Sequence, residues 1–261
     1  MKDQLRITFK TYGILYLLTA PVIIALRSLG RVADSSALTW ILTPTARWAG
    51  MLGGISFEYL PPQGYVNHLH RFIIAPSCSG IRFMMILFLM LVFSFLHQTG
   101  SKKKGRLWFA FSFAFSYLVT ILVNGIRIVL AIYLPIPLEH AGLLNGWLNP
   151  DRLHTLIGTV VYFSCLCLAY GVISFLFRHK LMPLETNSSA RSRYHNRLLV
   201  PAFWYLCAIL GIPFCGRLLK NNWDGFGSYT LLILGACAAV SVPVLLIPVA
   251  CLRSVRKPPS P

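Results

Sequence analysis

Three residues have types that can do chemistry and positions that ask for an explanation: Cys78, Arg127 and His154. Each sits at one end of a strongly apolar run. A thiolate is a good nucleophile, and nearby positive charge lowers the pKa of a thiol. An imidazole can take the thiol proton and return it to a leaving amine. A guanidinium can stabilise the oxyanion of a tetrahedral intermediate or hold a substrate carbonyl. Such a trio supports acyl transfer. Ser77, Ser79 and Gly80 flank the thiol and are small, so a peptide backbone can approach the sulfur. Taken singly, each of the three has a plainer explanation. A cysteine at a helix start is a small hydrophobe, and a histidine or arginine near a helix end snorkels towards headgroups. The trio gains meaning only if the fold delivers all three to one place.

The elements that must do so are membrane helices. Of the 261 residues 56% are hydrophobic and 12% charged, about half the charge usual in soluble domains. Crossing ~30 Å of hydrocarbon takes about 20 apolar residues. Six runs qualify, at 9–29, 80–97, 107–134, 153–177, 198–219 and 228–252. The fold expected is therefore an all-α polytopic membrane protein, a single integral domain over 1–261 with no soluble domain, repeat or low-complexity tract. The first run follows Lys2, Arg6 and Lys10 and resembles a signal peptide, but its length and the lack of a cleavage site favour a retained helix. Segment 36–54 carries Pro44, Arg47, Trp40 and Trp48 and is too interrupted to span. It is expected as an interfacial helix with aromatic anchors. After it, ISFEYL, PPQG and HRFIIA suggest a short β-hairpin.

Charge gives the orientation. With the N-terminus inside, the cytoplasmic segments 1–10, 98–106, 178–197 and 253–261 hold 15 of the 24 Lys and Arg. This is the positive-inside pattern, with both termini cytoplasmic. The net charge of +17 is then topological and calls for no nucleic acid. Six of the seven cysteines, Cys165, Cys167, Cys207, Cys215, Cys237 and Cys251, lie within apolar runs, and no CxxC pair exists. Neither a metal site nor a disulfide framework is expected. Cys78 alone stands at a polar threshold.

In this topology Cys78 opens the second span from the outer side. The third span starts inside near Leu107, and 20 residues at 1.5 Å carry Arg127 about 30 Å, to the outer face. The fourth span starts outside, with His154 one turn in. The three residues therefore share one depth on one side. Arg82, four residues past Cys78, would share a helix face with it and either orient substrate and lower the thiol pKa or snorkel. Asn124, three before Arg127, could hydrogen-bond the guanidinium. Asp151, three before His154, either orients the imidazole or caps the fourth helix, and the preceding Asn149-Pro150 favours the cap. Glu58, His68 and His70 fall in the outer loop, and His140 is a rival base outside the spans.

The blocks SCSGIR at 77–82, NGIRI at 124–128 and HTLIG at 154–158 resemble the signature blocks of the exosortase/archaeosortase family, in the family's order and on successive membrane helices. The resemblance covers roughly 55–180, a catalytic half followed by accessory helices at about 198–252. Pro76-Ser77 departs from the pair that precedes the cysteine in many bacterial members. The resemblance implies a membrane cysteine peptidase or transpeptidase with Cys78 as nucleophile, Arg127 as transition-state arginine and His154 as acid/base, and no cofactor. It also implies a plasma (inner) membrane location with the site facing outward. The implied substrates are secreted proteins with a C-terminal tail of short motif, transmembrane helix and basic cluster, passed to a lipid, a glycan or water. The rival class is a non-enzymatic transporter or scaffold, which would carry paired charges and broken helices near the midplane.

Overall fold

In a computed structural model the described residues are 2–31, 34–144, 146, 148–181 and 190–254. The chain is a polytopic helical membrane protein. Five helical stretches are long and apolar enough to cross a bilayer: Lys10–Leu29, Pro76–Gln98, Lys102–His140, Pro150–Phe177 and Leu198–Lys220. A sixth long helix, Phe226–Ser254, has a shorter described apolar stretch, Phe226–Val242. Residues 182–189 and 255–261, parts of the cytoplasmic segments expected at 178–197 and 253–261, lie outside the described residues. Contacts divide the chain into two compact units, Met1–Pro150 and Asp151–Pro261.

In the first unit, α1 (Lys2–Leu29) precedes α2 (Thr39–Gly53), three strands, α3 (Ile81–Phe95), α4 (Lys102–Tyr133) and the short α5 (Pro135–His140). α3 lies antiparallel along α4. Gly80 meets Thr120, Phe88 meets Phe113 and Phe109, and the Trp108 indole N–H donates to the Leu91 carbonyl at 3.2 Å. The α4 face towards this contact is small and polar. Ser112, Ser116, Thr120 and Asn124 recur every four residues and are fully buried. Small residues let helices approach closely where lipid provides no hydrophobic drive between them. The Ser116 and Thr120 hydroxyls donate to the carbonyls four residues back, at 2.7 and 2.6 Å, so their polarity is satisfied inside the helix. α1 joins at the other end of the pair, where Tyr12 packs on Gly105 and its hydroxyl accepts from Thr99 at 3.2 Å.

α2 stands where the interfacial helix is expected and, at 15 residues, is too short to span. It runs alongside α4, however. The Tyr117 hydroxyl donates to the Trp40 carbonyl, the Trp48 indole to the Leu122 carbonyl and the Tyr133 hydroxyl to the Gly53 carbonyl, at 2.7, 3.0 and 2.8 Å. Trp48 lies so close over Gly125 that a Cβ there would overlap its ring. Its tryptophans thus serve packing on α4. Ile41, Leu42, Ala46 and Ala49 of α2 join Leu26 of α1, Ile81 and Met84 of α3 and Ile128 of α4 in one core.

The expected hairpin is a three-stranded antiparallel sheet. β1 (Glu58–Leu60) and β3 (Phe72–Ile74) do not pair with each other; both flank β2 (Gly64–Asn67). Alternation turns Tyr59, Tyr65 and Ile74 to one face, and Tyr65 and Ile74 belong to the core just described. The Tyr65 hydroxyl donates to Thr43 Oγ1 at 2.7 Å and ties the sheet to α2. β2 escapes a reading of the sequence because GYVN is four residues long with polar neighbours. Asn67 folds that neighbourhood by donating to the Ser56 carbonyl and accepting from the His70 N–H, at 2.7 and 2.6 Å.

The second unit holds α6 (Pro150–Leu181), α7 (Ala190–Leu206), α8 (Ile212–Lys220) and α9 (Phe226–Ser254). α7 and α8 are continuous through a π turn at Cys207–Gly211. Pro213, just beyond it, lacks the N–H that the ladder needs, and a π turn is one way to absorb that loss. Phe163 of α6 packs against Tyr205 of α7, with ring centroids 5.6 Å apart.

Candidate active site

The nucleophile block is built by a break in the chain. β3 runs through Ala75 into a 3-10 turn, Pro76–Cys78. The Cys78 N–H donates to the Ala75 carbonyl and the Ser79 N–H to the Pro76 carbonyl, at 2.8 and 3.2 Å. Gly80 then takes a left-handed conformation, φ +77°, and α3 begins at Ile81. Cys78 therefore stands at the start of the second span, Pro76–Gln98, as expected, but on a 3-10 turn that precedes α3 itself. The shared helix face with Arg82 fails for that reason. The αL residue between them breaks the i, i+4 geometry, and the Arg82 side chain is exposed. Cys78 is half-buried against the core of α1, α2 and α4 side chains. Ser77 beside it is exposed, and Ser79 is buried.

Gly80 is required twice over. Its φ belongs to the region that glycine occupies freely. A Cβ there would come 2.8 Å from Thr120 Cγ2 and 3.3 Å from the Asn124 side-chain amide. The nucleophile turn thus rests directly on α4, one turn below Arg127.

Asn124 joins the two chemical groups. Its Nδ2 donates to the Cys78 carbonyl at 2.6 Å, and its Oδ1 accepts from Arg127 Nη1 at 3.3 Å. The hydrogen bond expected from the i, i+3 spacing is present, and the contact to the cysteine backbone adds to it. Asn124 is fully buried and Arg127 is 9% exposed. A guanidinium this buried is costly and marks function in a membrane protein by default. The first unit therefore brings together Cys78, Gly80, Asn124 and Arg127. Thr120 was missed from sequence, and Trp48 was read there only as an aromatic anchor. Thr120 supports Gly80 from below and Trp48 backs Gly125. The four-residue spacing from Asn124 back to Thr120 was the available signal.

His154 and Asp151 belong to the second unit. His154 is half-buried on the first turns of α6. α6 begins at Pro150, so Asp151 is exposed and stands inside the first turn, not at the cap position. Proline suits the first helical position because the N–H it lacks would be orphaned there. A carboxylate one residue on still favours the helix dipole. The Asp151 carbonyl accepts from Thr155 Oγ1 at 2.9 Å. Glu58 of β1 and His68, between β2 and β3, form an exposed pair, Oε2 to Nε2 3.6 Å.

The fold and these residues define a polytopic helical membrane protein with a buried arginine hydrogen-bonded through an amide to the backbone of a half-buried cysteine. Residues 3–171 match the family model for transmembrane exosortases, and the chain belongs to that family. The match runs from α1 into α6 and contains all three blocks, at 77–82, 124–128 and 154–158. No curated protein and no solved structure matches the chain.

Proposed function

We propose that the protein is a membrane-embedded cysteine transpeptidase that cuts the C-terminal sorting tail of secreted proteins. The observation that carries this reading is the Cys78–Asn124–Arg127 linkage, which holds a thiol-bearing turn against a buried guanidinium. The Cys78 thiolate attacks the scissile carbonyl carbon, so that an S–C bond forms while charge collects on the carbonyl oxygen. Arg127 stabilises that oxyanion. His154 takes the thiol proton and delivers it to the departing amine as the C–N bond breaks. The N-terminal part of the substrate remains as a thioester on Cys78. An acceptor hydroxyl, amine or water then attacks the thioester carbonyl and gives up a proton to His154, and the thiolate is released. No cofactor takes part in these steps. The fold is unrelated to that of the soluble-domain sortases, so the shared Cys/His/Arg chemistry would be convergent.

Positive-inside charge supports a site on the extracytoplasmic side of the plasma (inner) membrane. The substrate is then itself embedded: a short motif, a transmembrane helix and a basic cluster. Its cut falls where the helix leaves the lipid, at the depth of Cys78. The test is co-expression with a tagged tail substrate, read by gel shift. Wild type should shorten the substrate, and Cys78→Ala should leave it full length while the variant still accumulates in the membrane. Full processing by Cys78→Ala would return the protein to the transporter or scaffold class.

A further inference from the structure

We infer that Asn124 is a positioning residue that fixes the nucleophile turn relative to Arg127, an inference that rests on the proposed roles of Cys78 and Arg127. Only an amide does what its site requires. Arg127 has donors and no acceptor, so the group facing it must accept. The Cys78 carbonyl accepts only, so the group facing it must donate. Asn124 meets both with one planar group, Oδ1 on Arg127 and Nδ2 on Cys78 O. Aspartate keeps the acceptor and loses the donor. Leucine has the shape and loses both. Glutamine adds a methylene where the amide already faces Gly80 closely enough that a Cβ there would approach it to 3.3 Å.

The arrangement also fixes the backbone that carries the thiol. The Cys78 N–H is committed to the Ala75 carbonyl and the Cys78 carbonyl to Asn124, so both backbone groups of the nucleophile are held. Two unlike elements, a 3-10 turn and the outer part of α4, are thereby locked in register at the one residue whose side chain must meet a carbonyl carbon. Positioning of this kind acts on the transition state and leaves ground-state binding largely alone.

The experiment uses the full chain purified in detergent, as wild type, Asn124→Asp, Asn124→Leu and Asn124→Ala. Turnover of a tail substrate is measured well below each variant's melting temperature. Cys78 alkylation by a maleimide is timed in parallel, in chains whose other six cysteines are replaced. Loss of a buried hydrogen bond of this kind should lower kcat about 10- to 100-fold, with KM within about threefold of wild type. Asn124→Asp keeps an acceptor for Arg127 and loses the donor to Cys78 but adds a carboxylate beside the guanidinium, so it is read against the uncharged Asn124→Leu, which loses both bonds. The Cys78 alkylation rate should change in all three variants. A purely structural asparagine would lower melting temperature and yield without the split between kcat and KM. Wild-type kcat together with wild-type alkylation in Asn124→Asp overturns the inference even if Cys78-dependent processing holds. An alkylation rate that responds to Asn124 in a protein that processes nothing supports the positioning and overturns the proposed function instead.

Discussion

Gly80→Ala tests the packing that underlies the site. Two costs are predicted. An L-residue at φ +77° pays about 1–2 kcal/mol for the left-handed conformation. Its Cβ would sit 2.8 Å from Thr120 Cγ2 and 3.3 Å from the Asn124 amide, an overlap that costs about 1–3 kcal/mol in a packed interior. The sum is roughly 2–5 kcal/mol, or on the order of 10 °C in melting temperature for a chain of this size. The two parts can be separated. Thr120→Ser removes the offending methyl and keeps the hydroxyl that donates to the Ser116 carbonyl. The double variant should therefore recover the overlap part and keep the backbone part. A four-variant cycle of unfolding in detergent measures this as a coupling energy of about 1 kcal/mol or more. Gly80→Ala as stable as wild type, or no recovery on adding Thr120→Ser, would refute the reasoning.

Three further outcomes follow from the same geometry. Arg127→Lys should lower processing at least about tenfold, because a compact ammonium cannot reproduce the guanidinium fork that reaches Asn124; the tail-substrate gel shift reads this. Trp48→Phe keeps the ring over Gly125 and loses the bond to the Leu122 carbonyl, so it should cost about 1 kcal/mol in unfolding and leave turnover near wild type. Reporter fusions at 102–106, 185–195 and the C-terminus should report cytoplasm, and fusions near 62 and 145 the outside; a cytoplasmic signal at 145 would put Arg127 and His154 on the wrong side.

The spans were legible because a membrane imposes a length, and runs such as 107–134 and 153–177 lie within the helical stretches Lys102–His140 and Pro150–Phe177. The helices extend beyond those runs because polar residues such as Lys102 and Asp151 are good helix ends but invisible to hydropathy. The meeting of the Cys78 block with Arg127 was legible from a ruler and two directions of travel. The Asn124–Arg127 bond was legible from i, i+3 spacing. The bond from Asn124 to the Cys78 carbonyl was not, because it joins residues 46 apart through backbone. The break at Gly80 was hidden because SGIRFMM reads as one helical run, and only the contact with α4 demands the left-handed residue. Trp48 reads as an interfacial anchor from composition alone. Its partners, Gly125 and the Leu122 carbonyl, are tertiary. α2's course along α4 is fixed by three hydrogen bonds to backbone carbonyls, which no side-chain pattern records.

The most direct measurement of the central claim is the site of the acyl-enzyme. Wild-type protein is incubated with a tail substrate without added acceptor, digested and examined by mass spectrometry, with and without hydroxylamine. A thioester joining the N-terminal part of the substrate to Cys78 is predicted. Hydroxylamine should release it, and it should be absent from Cys78→Ala and from Cys165, Cys167, Cys207, Cys215, Cys237 and Cys251. An adduct on any other residue, or cleavage by Cys78→Ala at the wild-type rate, would contradict the account.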